Sequence, residues 1–298
     1  MNATPHSDHR SEKVRMLGLV TLYNPDRNVA VGNIKHYIGD IDALMIWDNS
    51  KREAGLQEWM MPALEDDSSK VIWRGDGENH FIAAAINDAW RYAENQGYDL
   101  LLMMDQDSRW EDFTAYKEQV ERCYLDNPRQ LFCPYVPANN PFEITSDIQI
   151  VHEFINSGAV IPVSILHAIG GADERFPLDA LDYDMGHRIQ NAGYSIVCLT
   201  RHHLHHQLGR SRRMGPFNIY TSDYGPERTY SISKSFILYY RKHRKTLSSS
   251  EKRFVIKEHY IKKLYRIILA EPQKFSRIKQ FIIGIYDGLT YRFEHDAK

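Results

Sequence analysis

The chain contains few of the features that mark secreted, thiolate-metal or membrane-spanning proteins. Its 298 residues include three cysteines, Cys123, Cys133 and Cys198, and none of them shows CxxC spacing. This argues against a disulfide framework or a thiolate zinc site and fits a reducing compartment. No apolar run reaches the roughly 18 residues of a membrane span, and the polar start MNATPHSDHRSEK has no apolar signal segment. We therefore expect a cytoplasmic protein.

A strong net charge is also absent, although charge is unevenly distributed along the chain. The formal net charge is -2 and the sequence pI is about 6.7, which gives no reason to expect a nucleic-acid partner. From Arg241 to the last residue, however, 15 basic residues accompany 6 acidic ones. A content of 43% hydrophobic and 26% charged residues is typical of a globular protein. The sequence thus indicates an acidic body with a basic tail.

Predicted strands and helices alternate in the first half of the chain. Apolar runs predict strands, and 3.6-residue periodicity predicts helices between them. The strands are expected at residues 17–23, 43–47, 71–73 and 100–104, and the helices at 29–38 and 82–95. This alternation is typical of β-α-β units with a largely parallel sheet.

The second half of the chain shows a less regular pattern. Pro134, Pro137 and Pro141 indicate a loop, which precedes a predicted helix at 182–192 and a predicted strand at 195–199. From Ser231 onward helical periodicity dominates. We therefore expect a sheet domain followed by a helical tail.

Two carboxylates follow the apolar run Leu100 to Met104, within the segment Asp105-Gln106-Asp107-Ser108. A continuous apolar run suits a strand covered on both faces, and ligands bind beyond the carboxyl ends of such strands. Because residues i and i+2 of a strand point the same way, Asp105 and Asp107 are expected to converge. Convergent carboxylates repel each other unless a cation lies between them, and oxygen ligands suit Mg²⁺ or Mn²⁺.

The same segment also permits a purely structural interpretation. Ser108 and Glu111 match the S-x-x-E capping box of a helix predicted at 113–124. In that case the two carboxylates are solvated charges favoured by the helix dipole. The spacing alone leaves both interpretations open.

Four histidines lie between residues 202 and 206. In an extended chain His202 and His206 point to one side, whereas His203 and His205 point to the other. A zinc site built from one pair has no cysteine or acidic neighbour in sequence to complete it. A polar strand edge is the alternative interpretation.

Taken in order, several segments resemble the motifs of family 2 glycosyltransferases of the GT-A fold, particularly bacterial rhamnosyl- and galactofuranosyltransferases. Residues 20–25 (VTLYNP) resemble the first nucleotide-contacting strand, and residues 47–50 (WDNS) resemble the segment whose Asp binds the base. Residues 78–87 resemble the EN-x-G-IAxAxN helix start, except that Phe81 replaces the usual Gly, which puts the shape of the donor pocket in doubt. Asp105 to Ser108 match the DQDS form of the DxD motif.

The later segments resemble the acceptor half of the same family. Residues 156–158 (NSG) and 169–174 (IGGADE) resemble its SG and GGFDE elements. Residues 176–184 (FPLDALDYD) resemble the block that supplies the catalytic base, and residues 206–209 (HQLG) resemble the motif that supplies a metal ligand. Residues 283–289 (IGIYDGL) resemble the family's GIxDGL ending.

The resemblance implies an α/β protein of the GT-A fold, with a mixed, mainly parallel central sheet flanked by helices and a C-terminal helical tail. It divides the chain into a flexible N-terminus at 1–15, a catalytic domain at 16–240 and a basic amphipathic helical region at 241–298. The donor-binding residues that it implies are Thr21, Tyr23, Asp48, Asn79, Ala83, Asp105, Gln106 and Arg210. The implied ligands of Mn²⁺ or Mg²⁺ are Asp105, Asp107 and His206.

The resemblance also assigns the general base, the group that removes the acceptor's proton. Asp182 occupies the family's base position, and Asp179 and Asp184 are the alternatives. Acids near a helix start are also favoured for capping, which is the structural interpretation of Asp179 in particular. A single base without a neighbouring nucleophile implies one displacement with inversion.

A short basic loop follows His206. Arg210, Arg212 and Arg213 carry guanidinium groups that match phosphate geometry. Closure over a pyrophosphate and a solvated basic loop are equally consistent with this pattern.

The function implied is transfer of a sugar from a UDP- or dTDP-sugar to a glycan or lipid-linked acceptor in cell-surface polysaccharide synthesis, with rhamnose or a galactose form as the first guesses. One alternative is an inactive GT-A-like scaffold. Another is a haloacid-dehalogenase-type phosphohydrolase, although Arg109 stands where that family has Thr or Val. A nucleotidyltransferase would need a Gly-rich phosphate loop near the N-terminus, which the sequence lacks.

The basic tail contains one strongly amphipathic segment, residues 252–269 (KRFVIKEHYIKKLYRIIL). Its apolar stripe is expected to comprise Phe254, Val255, Tyr260, Ile261, Leu264, Tyr265, Ile268 and Leu269. Such a stripe packs on the catalytic domain or on another subunit of a homo-oligomer, or lies on an anionic membrane. We expect packing through the stripe, with a basic rim that gives weak peripheral contact with the inner face of the cell membrane.

Overall fold

A mixed nine-stranded sheet forms the centre of the computed structural model, which describes residues 13–52, 55–137, 142–206, 212–222 and 224–293. Its strands are β1 (Met16–Leu22), β2 (Ala43–Asp48), β3 (Val71–Arg74), β4 (Leu100–Asp105), β5 (Arg109–Trp110), β6 (Gln130–Tyr135), β7 (Ile148–Val151), β8 (Val160–Pro162) and β9 (Ser195–His205). Their order is β3-β2-β1-β4-β8-β6-β9-β5, and β7 also pairs with β9. The sheet is curled and flanked by helices.

The first four strands form the parallel half of the sheet. β1 lies between β2 and β4, so that Thr21 pairs with Trp47 on one side and with Asp105 on the other. The carboxyl ends of β1, β2 and β4 therefore meet at one edge. This arrangement confirms the predicted β-α-β half and places its motifs side by side.

Helices cover both faces of the sheet, as the continuous apolar strands predict. They are α1 (Arg27–Lys35), α2 (Leu56–Ala63), α3 (Phe81–Gln96), α4 (Phe113–Asp126), α5 (Val163–Ile169) and α6 (Leu181–Asn191). Leu101 and Met103 pack with α3, α5 and α6, whereas Leu100 and Leu102 pack with α1, α2 and α4. Short 3₁₀ helices at Ile38–Asp40 and Glu65–Lys70 complete this layer.

The second half of the sheet is more regular than the sequence predicts. Pro134, expected in a loop, lies inside β6, where the register with β9 shifts between Pro134 and Tyr135. Proline is tolerated at such an irregularity because a ladder hydrogen bond is already missing there. β9, predicted to end at Leu199, continues to His205 and carries most of the histidine cluster. The described strands β5, β7 and β8 are too short to leave a clear periodic signal.

A hairpin and a group of helices follow the sheet. The hairpin consists of β10 (Arg212–Met214) and β11 (Ile219–Thr221), and the helices are α7 (Pro226–His243), α8 (Ser249–Ile256), α9 (Lys263–Leu269) and α10 (Lys274–Thr290), with a π-helical segment at Lys257–Lys262. α10 packs closely along α7. The absence of a side chain at Gly284 allows this approach, since a Cβ there would collide with Ser233 and Tyr230. Residue 240 lies inside α7, and the domain division there stays a prediction, as does the N-terminal segment, of which only Lys13 to Arg15 are described.

The predicted apolar stripe of residues 252–269 is wrong as a single face. Val255 is 2% exposed and the Tyr260 hydroxyl donates to the Ser233 carbonyl at 2.9 Å, whereas Ile261 and Tyr265 are 62% and 52% exposed. The π-helical segment has a longer turn than an α-helix, so residues before and after it face different directions. Within the described residues, no helix combines the length and apolar character needed to cross a membrane.

Candidate active site

Three potential metal ligands converge at the carboxyl end of β4. Asp105 is the last residue of β4, Asp107 is in the following turn, and His206 follows the end of β9. The His206 Nδ1 atom lies 3.6 Å from Asp107 Oδ1 and 3.9 Å from Asp105 Oδ2. Within the described residues, this is the only group of three such side chains whose ligand atoms all lie within 4.8 Å of one another. The structure thus brings together the three residues that the sequence predicts as metal ligands.

The chemistry of this group fits a divalent cation such as Mn²⁺. Two carboxylates and one imidazole are an oxygen-and-nitrogen set, and metal–ligand bonds of roughly 2.0–2.2 Å place neighbouring ligand atoms about 3–3.5 Å apart. A small tightening of the observed distances would achieve this spacing. The Asp107 side chain is 43% exposed while that of His206 is 12% exposed, so the group opens to solvent on the aspartate side.

Two hydrogen-bonded hydroxyl groups connect the Asp105 backbone to the His206 ring. The Asp105 backbone N–H donates to Ser157 Oγ at 3.2 Å, Ser157 Oγ donates to Ser108 Oγ at 2.7 Å, and Ser108 Oγ lies 2.7 Å from His206 Nδ1. Ser108 is fully buried. Because the Ser108 hydrogen bond uses Nδ1, the atom of His206 that lies nearest the two carboxylates, a metal bound at Nδ1 would replace this hydrogen bond.

The capping-box interpretation of Ser108 is therefore wrong. Helix α4 begins at Phe113, and its N-cap is Asp112, whose carboxylate accepts from the Ala115 N–H at 3.0 Å. Ser108 instead contacts His206. Asp112 directly precedes the first helical residue, whereas Ser108 lies four residues further from it, and the S-x-x-E pattern alone does not locate the helix start.

The other histidines have separate partners. His202 is half-buried, lies 2.6 Å from Gln119 Oε1 and packs edge-on against Tyr116. His205 Nε2 lies 2.8 Å from Glu111 on the opposite side of β9. His202 and His205 thus lie on opposite sides of β9, as predicted, and His206 follows the end of the strand.

Burial changes the acidity of Asp105. Desolvation, assisted by the charge of Asp107, raises the pKa of Asp105 to about 6, although the positive charge of protonated His206 opposes this shift. An acid that is costly to ionise beside another acid gains from a neighbouring cation. This electrostatic strain is consistent with a metal site.

A cavity of about 900 Å³ opens above these residues, and we call it the strand-end cavity. It is lined by seven residues that the sequence predicts to bind the donor or the metal: Thr21, Tyr23, Asn79, Asp105, Gln106, Asp107 and His206. Gln106 links two of the motifs, because its Oε1 atom accepts from the Tyr23 N–H at 2.7 Å. A volume of this size suits a ligand as large as a nucleotide sugar.

Two predicted donor-binding residues lie elsewhere, and a third falls outside the described residues. Asp48 does not line the strand-end cavity, and its carboxylate accepts from the Ser50 N–H at 2.8 Å. Ala83 is 1% exposed in the core, where small size allows close packing of α3. Arg210 lies outside the described residues, as do the other residues of 207–211, whereas the Arg213 side chain donates to the Asn218 carbonyl at 3.4 Å in the hairpin.

Phe81 lines the strand-end cavity in a conformation that phenylalanine rarely adopts. Its φ is 61°, in the left-handed region, and its ring is 42% exposed. The Asn79 side chain accepts from the Phe81 N–H at 2.9 Å and the Asn49 side chain donates to its carbonyl at 3.4 Å, so both backbone groups are held. Glycine adopts this conformation without strain, which explains why the family that the sequence resembles has Gly at the position of Phe81.

Asp182 lies in the first turn of α6 with an unusual acidity. Burial, assisted by the negative charge of Asp105, raises the pKa of Asp182 to about 7, while hydrogen bonds from the Asn156 backbone and side chain oppose the rise. A carboxylate with a pKa near neutrality is suited to accept a proton at physiological pH.

The two alternative acids have cationic partners. Arg228 lies 2.9 Å from Asp179. The fully buried Asp184 accepts from Arg188, Lys242 and His243 at 2.6–2.8 Å, and these groups together hold its pKa below the usual range despite burial. Asp184 thus connects α6 to α7, and neither residue resembles a free base as closely as Asp182 does.

The sequence predictions missed the opposite wall of the strand-end cavity. This wall contains three basic side chains, Arg175, Arg228 and Lys234, the last two on α7. Arg175 is held by Asp173, with its Nη2 atom 2.6 Å from the carboxylate. In the sequence, Arg228 and Lys234 are two basic residues of one predicted helical segment, a pattern that is common on solvated helix faces.

No family model matches the sequence, and no curated protein matches it. Solved structures are nevertheless similar in fold. The mannosyltransferase PcManGT from Pyrobaculum calidifontis, solved with GDP-Man and Mn²⁺, superposes with a TM-score of 0.57 at 13% identity over 94% of this chain and 76% of its own. TarS 1-349 from S. aureus, in complex with UDP-GlcNAc, gives 0.53 at 13% identity over 93% and 81%.

GalNAc-T7, solved with UDP, GalNAc and Mn²⁺, gives a TM-score of 0.54 at 10% identity over 92% of this chain. The chain spans only 57% of the length of GalNAc-T7. At these identities the similarity concerns the fold and not the activity. The mixed, helix-flanked sheet of this chain is similar to the fold of the GT-A glycosyltransferases.

Proposed function

We propose that the protein is a metal-dependent glycosyltransferase that uses a nucleotide-diphosphate sugar. The observation that carries this proposal is the convergence of Asp105, Asp107 and His206 at one cavity of the GT-A fold, with the half-buried acid Asp182 near Asp105. The similar structures solved with GDP-Man, UDP-GlcNAc or UDP support a nucleotide-sugar ligand for this cavity.

Asp105, Asp107 and His206 would hold Mn²⁺ or Mg²⁺. When bound, such a cation supplies positive charge that stabilises the departing diphosphate. Arg228 and Lys234 on the opposite wall supply further positive charge, so the diphosphate would lie between two positive regions. Thr21, Tyr23, Asn79 and Gln106 would orient the nucleoside, with the Phe81 ring as a stacking surface.

Asp182 would act as the general base. As the acceptor hydroxyl attacks the anomeric carbon, its proton passes to the Asp182 carboxylate, and the bond from that carbon to the diphosphate oxygen breaks. One base and one displacement give inversion at the anomeric carbon. The Asn156 hydrogen bonds hold the carboxylate in place during this step.

We further propose a UDP- or dTDP-linked donor, with a rhamnosyl or galactosyl form as the first candidates, and a glycan or lipid-linked acceptor of bacterial cell-surface polysaccharides. The support is the DQDS form of the motif and its neighbours in sequence. Measuring the thermal stabilisation by a panel of nucleotide sugars with Mn²⁺ ranks the donors, because a ligand that binds only the folded state raises the melting temperature.

A membrane-associated setting is supported by the outer face of the C-terminal helices. Ile261, Tyr265 and Ile268 on the π-helical segment and α9, and Ile282 and Tyr286 on α10, are 45–65% exposed. Basic residues at positions 257, 274 and 279 are exposed in the same segments. An anionic lipid surface is complementary to such a face.

The residues to change in a membrane test are Lys257, Lys274 and Lys279. Lys263 and Arg266 are unsuitable because they bond to Glu271 and Glu258 within the fold. The wild type is expected to sediment with phosphatidylserine vesicles at low salt, and the triple Glu variant is not. Equal sedimentation of both proteins would exclude an electrostatic contact.

The proposed function is tested by donor turnover in the Asp107→Ala variant. This substitution removes an exposed metal ligand and should abolish Mn²⁺-dependent release of the nucleotide from the donor with little effect on folding. Asp126→Ala, an exposed acid on α4, is the matched control and should retain turnover. Undiminished turnover by Asp107→Ala would rule out the proposed metal site.

The alternative functions predict different results in the same assay. An inactive GT-A-like scaffold would bind a nucleotide sugar without releasing the nucleotide. A phosphohydrolase would release inorganic phosphate from simple phosphate esters. We favour transfer because the site combines candidate metal ligands, a nucleotide-sized cavity and a separate half-buried carboxylate that can act as the base.

A further inference from the structure

A second cavity, of about 470 Å³, has Asp182 in its lining. Its walls come from residues 152–155, from α6 and α7, and from residues 248–255 around the start of α8. We call it the α6–α8 cavity. None of the residues around it belongs to the predicted donor or metal set, and Asp182 is the only predicted site residue that lines it.

Asp182 connects this cavity electrostatically to the strand-end cavity. Asp182 lines the α6–α8 cavity, and Asp105, which lines the strand-end cavity, is close enough for its charge to raise the pKa of Asp182. A hydroxyl group at the edge of the α6–α8 cavity next to Asp182 would therefore lie close both to the base and to the strand-end cavity.

Aromatic rings form one wall of the α6–α8 cavity. The Tyr183 and Phe254 rings are nearly parallel, with centroids 6.4 Å apart and an interplanar angle of 29°, and Tyr239 meets Tyr183 edge-on at 6.0 Å. Phe254 is 41% exposed although it is a large apolar side chain. Flat apolar surfaces with a few polar groups at their edges suit a sugar ring, whose C–H faces are apolar and whose rim carries hydroxyls.

Negative charge dominates the polar groups of the α6–α8 cavity. Burial and the charge of Glu251 raise the pKa of Glu153, and both carboxylates belong to residues that line the cavity. Burial, together with the charge of His243, lowers the pKa of His187, which favours its neutral form. His152, the other basic residue of the lining, lies 3.1 Å from Gln190 Oε1. With Asp182, the cavity holds three carboxyl groups and no lysine or arginine among its described lining residues.

We infer that the α6–α8 cavity binds the acceptor as a neutral or amine-bearing sugar ring, and that Glu153 and Glu251 exclude sugars that carry a carboxylate or phosphate. This inference rests on the proposed transfer function for the role of Asp182. Hydroxyl or ammonium groups donate to the two carboxylates, whereas an anionic sugar meets like charge without a compensating cation. The C-terminal region thus supplies part of the acceptor site through Glu251 and Phe254.

The inference is tested with three matched sugars and the full chain. Saturation-transfer NMR measures binding of methyl β-D-glucoside, methyl β-D-glucosaminide and methyl β-D-glucuronide at pH 8 in the presence of UDP and diamagnetic Mg²⁺. The wild type is expected to bind the first two and to bind the glucuronide at least about tenfold more weakly, because like charges oppose it.

Glu251→Gln is the decisive variant. Glutamine preserves the capping box in which the Ser248 N–H donates to the residue-251 side chain at 2.7 Å, so that α8 keeps its start. Combined with Glu153→Gln, it should bring glucuronide binding to the level of the glucoside, and Phe254→Ala should weaken binding of all three sugars. Glu118→Gln, an exposed position on α4, should change none of these values.

Calorimetric titration with UDP and Mg²⁺ on the same samples separates two failures. Retained UDP binding with no sugar signal, or with glucuronide bound as well as glucoside by the wild type, overturns the acceptor assignment and leaves the donor site standing. A wild type that does not bind UDP contradicts the proposed function itself. Unchanged selectivity in the double Gln variant also overturns the assignment.

Discussion

Replacing Asp182 with asparagine should make the folded protein more stable at alkaline pH while removing transfer activity. The structure raises the pKa of Asp182 to about 7 by burial and by the charge of Asp105. Its unfolded value is about 3.9, and one pKa unit corresponds to 1.36 kcal/mol. The ionised carboxylate therefore destabilises the folded state by at most about 4 kcal/mol above pH 7.

The sign of this effect sets the pH dependence. Between about pH 4 and pH 7 the folded state binds more protons at Asp182 than the unfolded state does, so the free energy of unfolding decreases as pH rises. Asparagine removes this loss but leaves one amide group to satisfy, at a cost of about 1–3 kcal/mol. As pH rises from 5 to 8.5, the free energy of unfolding of the variant relative to that of the wild type should therefore increase by about 1–3 kcal/mol.

Urea denaturation in EDTA at pH 5 and pH 8.5 measures this difference. Addition of Mn²⁺ should reduce it, because a cation at Asp105 compensates the charge that raises the pKa of Asp182. A difference between variant and wild type that does not change with pH would refute the raised pKa of the Asp182 carboxylate. Full activity of the variant would refute its role as base.

Three further predictions concern the same site and its support. Phe81→Gly should be more stable than Phe81→Ala by about 1 kcal/mol in urea denaturation, because both remove the ring and only glycine accepts the φ of 61° without strain; equal stability would exclude backbone strain. The value of kcat/KM for the acceptor should fall with unit slope below about pH 7, because Asp182 must be ionised to accept the proton. The same fall should persist in Asp182→Glu, which keeps a carboxylate. A flat profile from pH 5 to 9 would contradict this assignment. Lys242→Met should lower the free energy of unfolding by about 2–4 kcal/mol, because it leaves the buried Asp184 with fewer cationic partners; the exposed control Lys245→Met should change it by less than about 0.5 kcal/mol.

The sequence predicts the parallel half of the fold closely because its signals are local. The apolar run ending at Asp105 has the length and composition of a strand covered on both faces, and the structure confirms both the strand and the convergence at its end. β9 was predicted too short, since the polar residues from Arg201 to His205 lie on a strand whose stability comes from pairing with β5, β6 and β7. Such pairing is a long-range property that periodicity does not report.

The part of the site that the sequence did not predict comes from distant segments. Arg228 and Lys234 reach the strand-end cavity because α7 crosses it, and Glu251 and Phe254 reach the α6–α8 cavity because α8 packs beside α6. Ser108 was ambiguous for the same reason, since its partners His206 and Ser157 are far away in sequence. Motif order identified one wall of the site, and tertiary packing determined the other.

The central claim is that Asp105, Asp107 and His206 hold one divalent cation against the diphosphate of a nucleotide. Pulsed electron paramagnetic resonance of Mn²⁺ with UDP tests it directly, because it detects nitrogen and phosphorus nuclei bound next to the metal. The wild type should show coupling to one imidazole nitrogen and to phosphorus, and His206→Gln should lose only the nitrogen coupling. Bound Mn²⁺ without nitrogen coupling in the wild type, or without phosphorus coupling when UDP is present, would contradict the account.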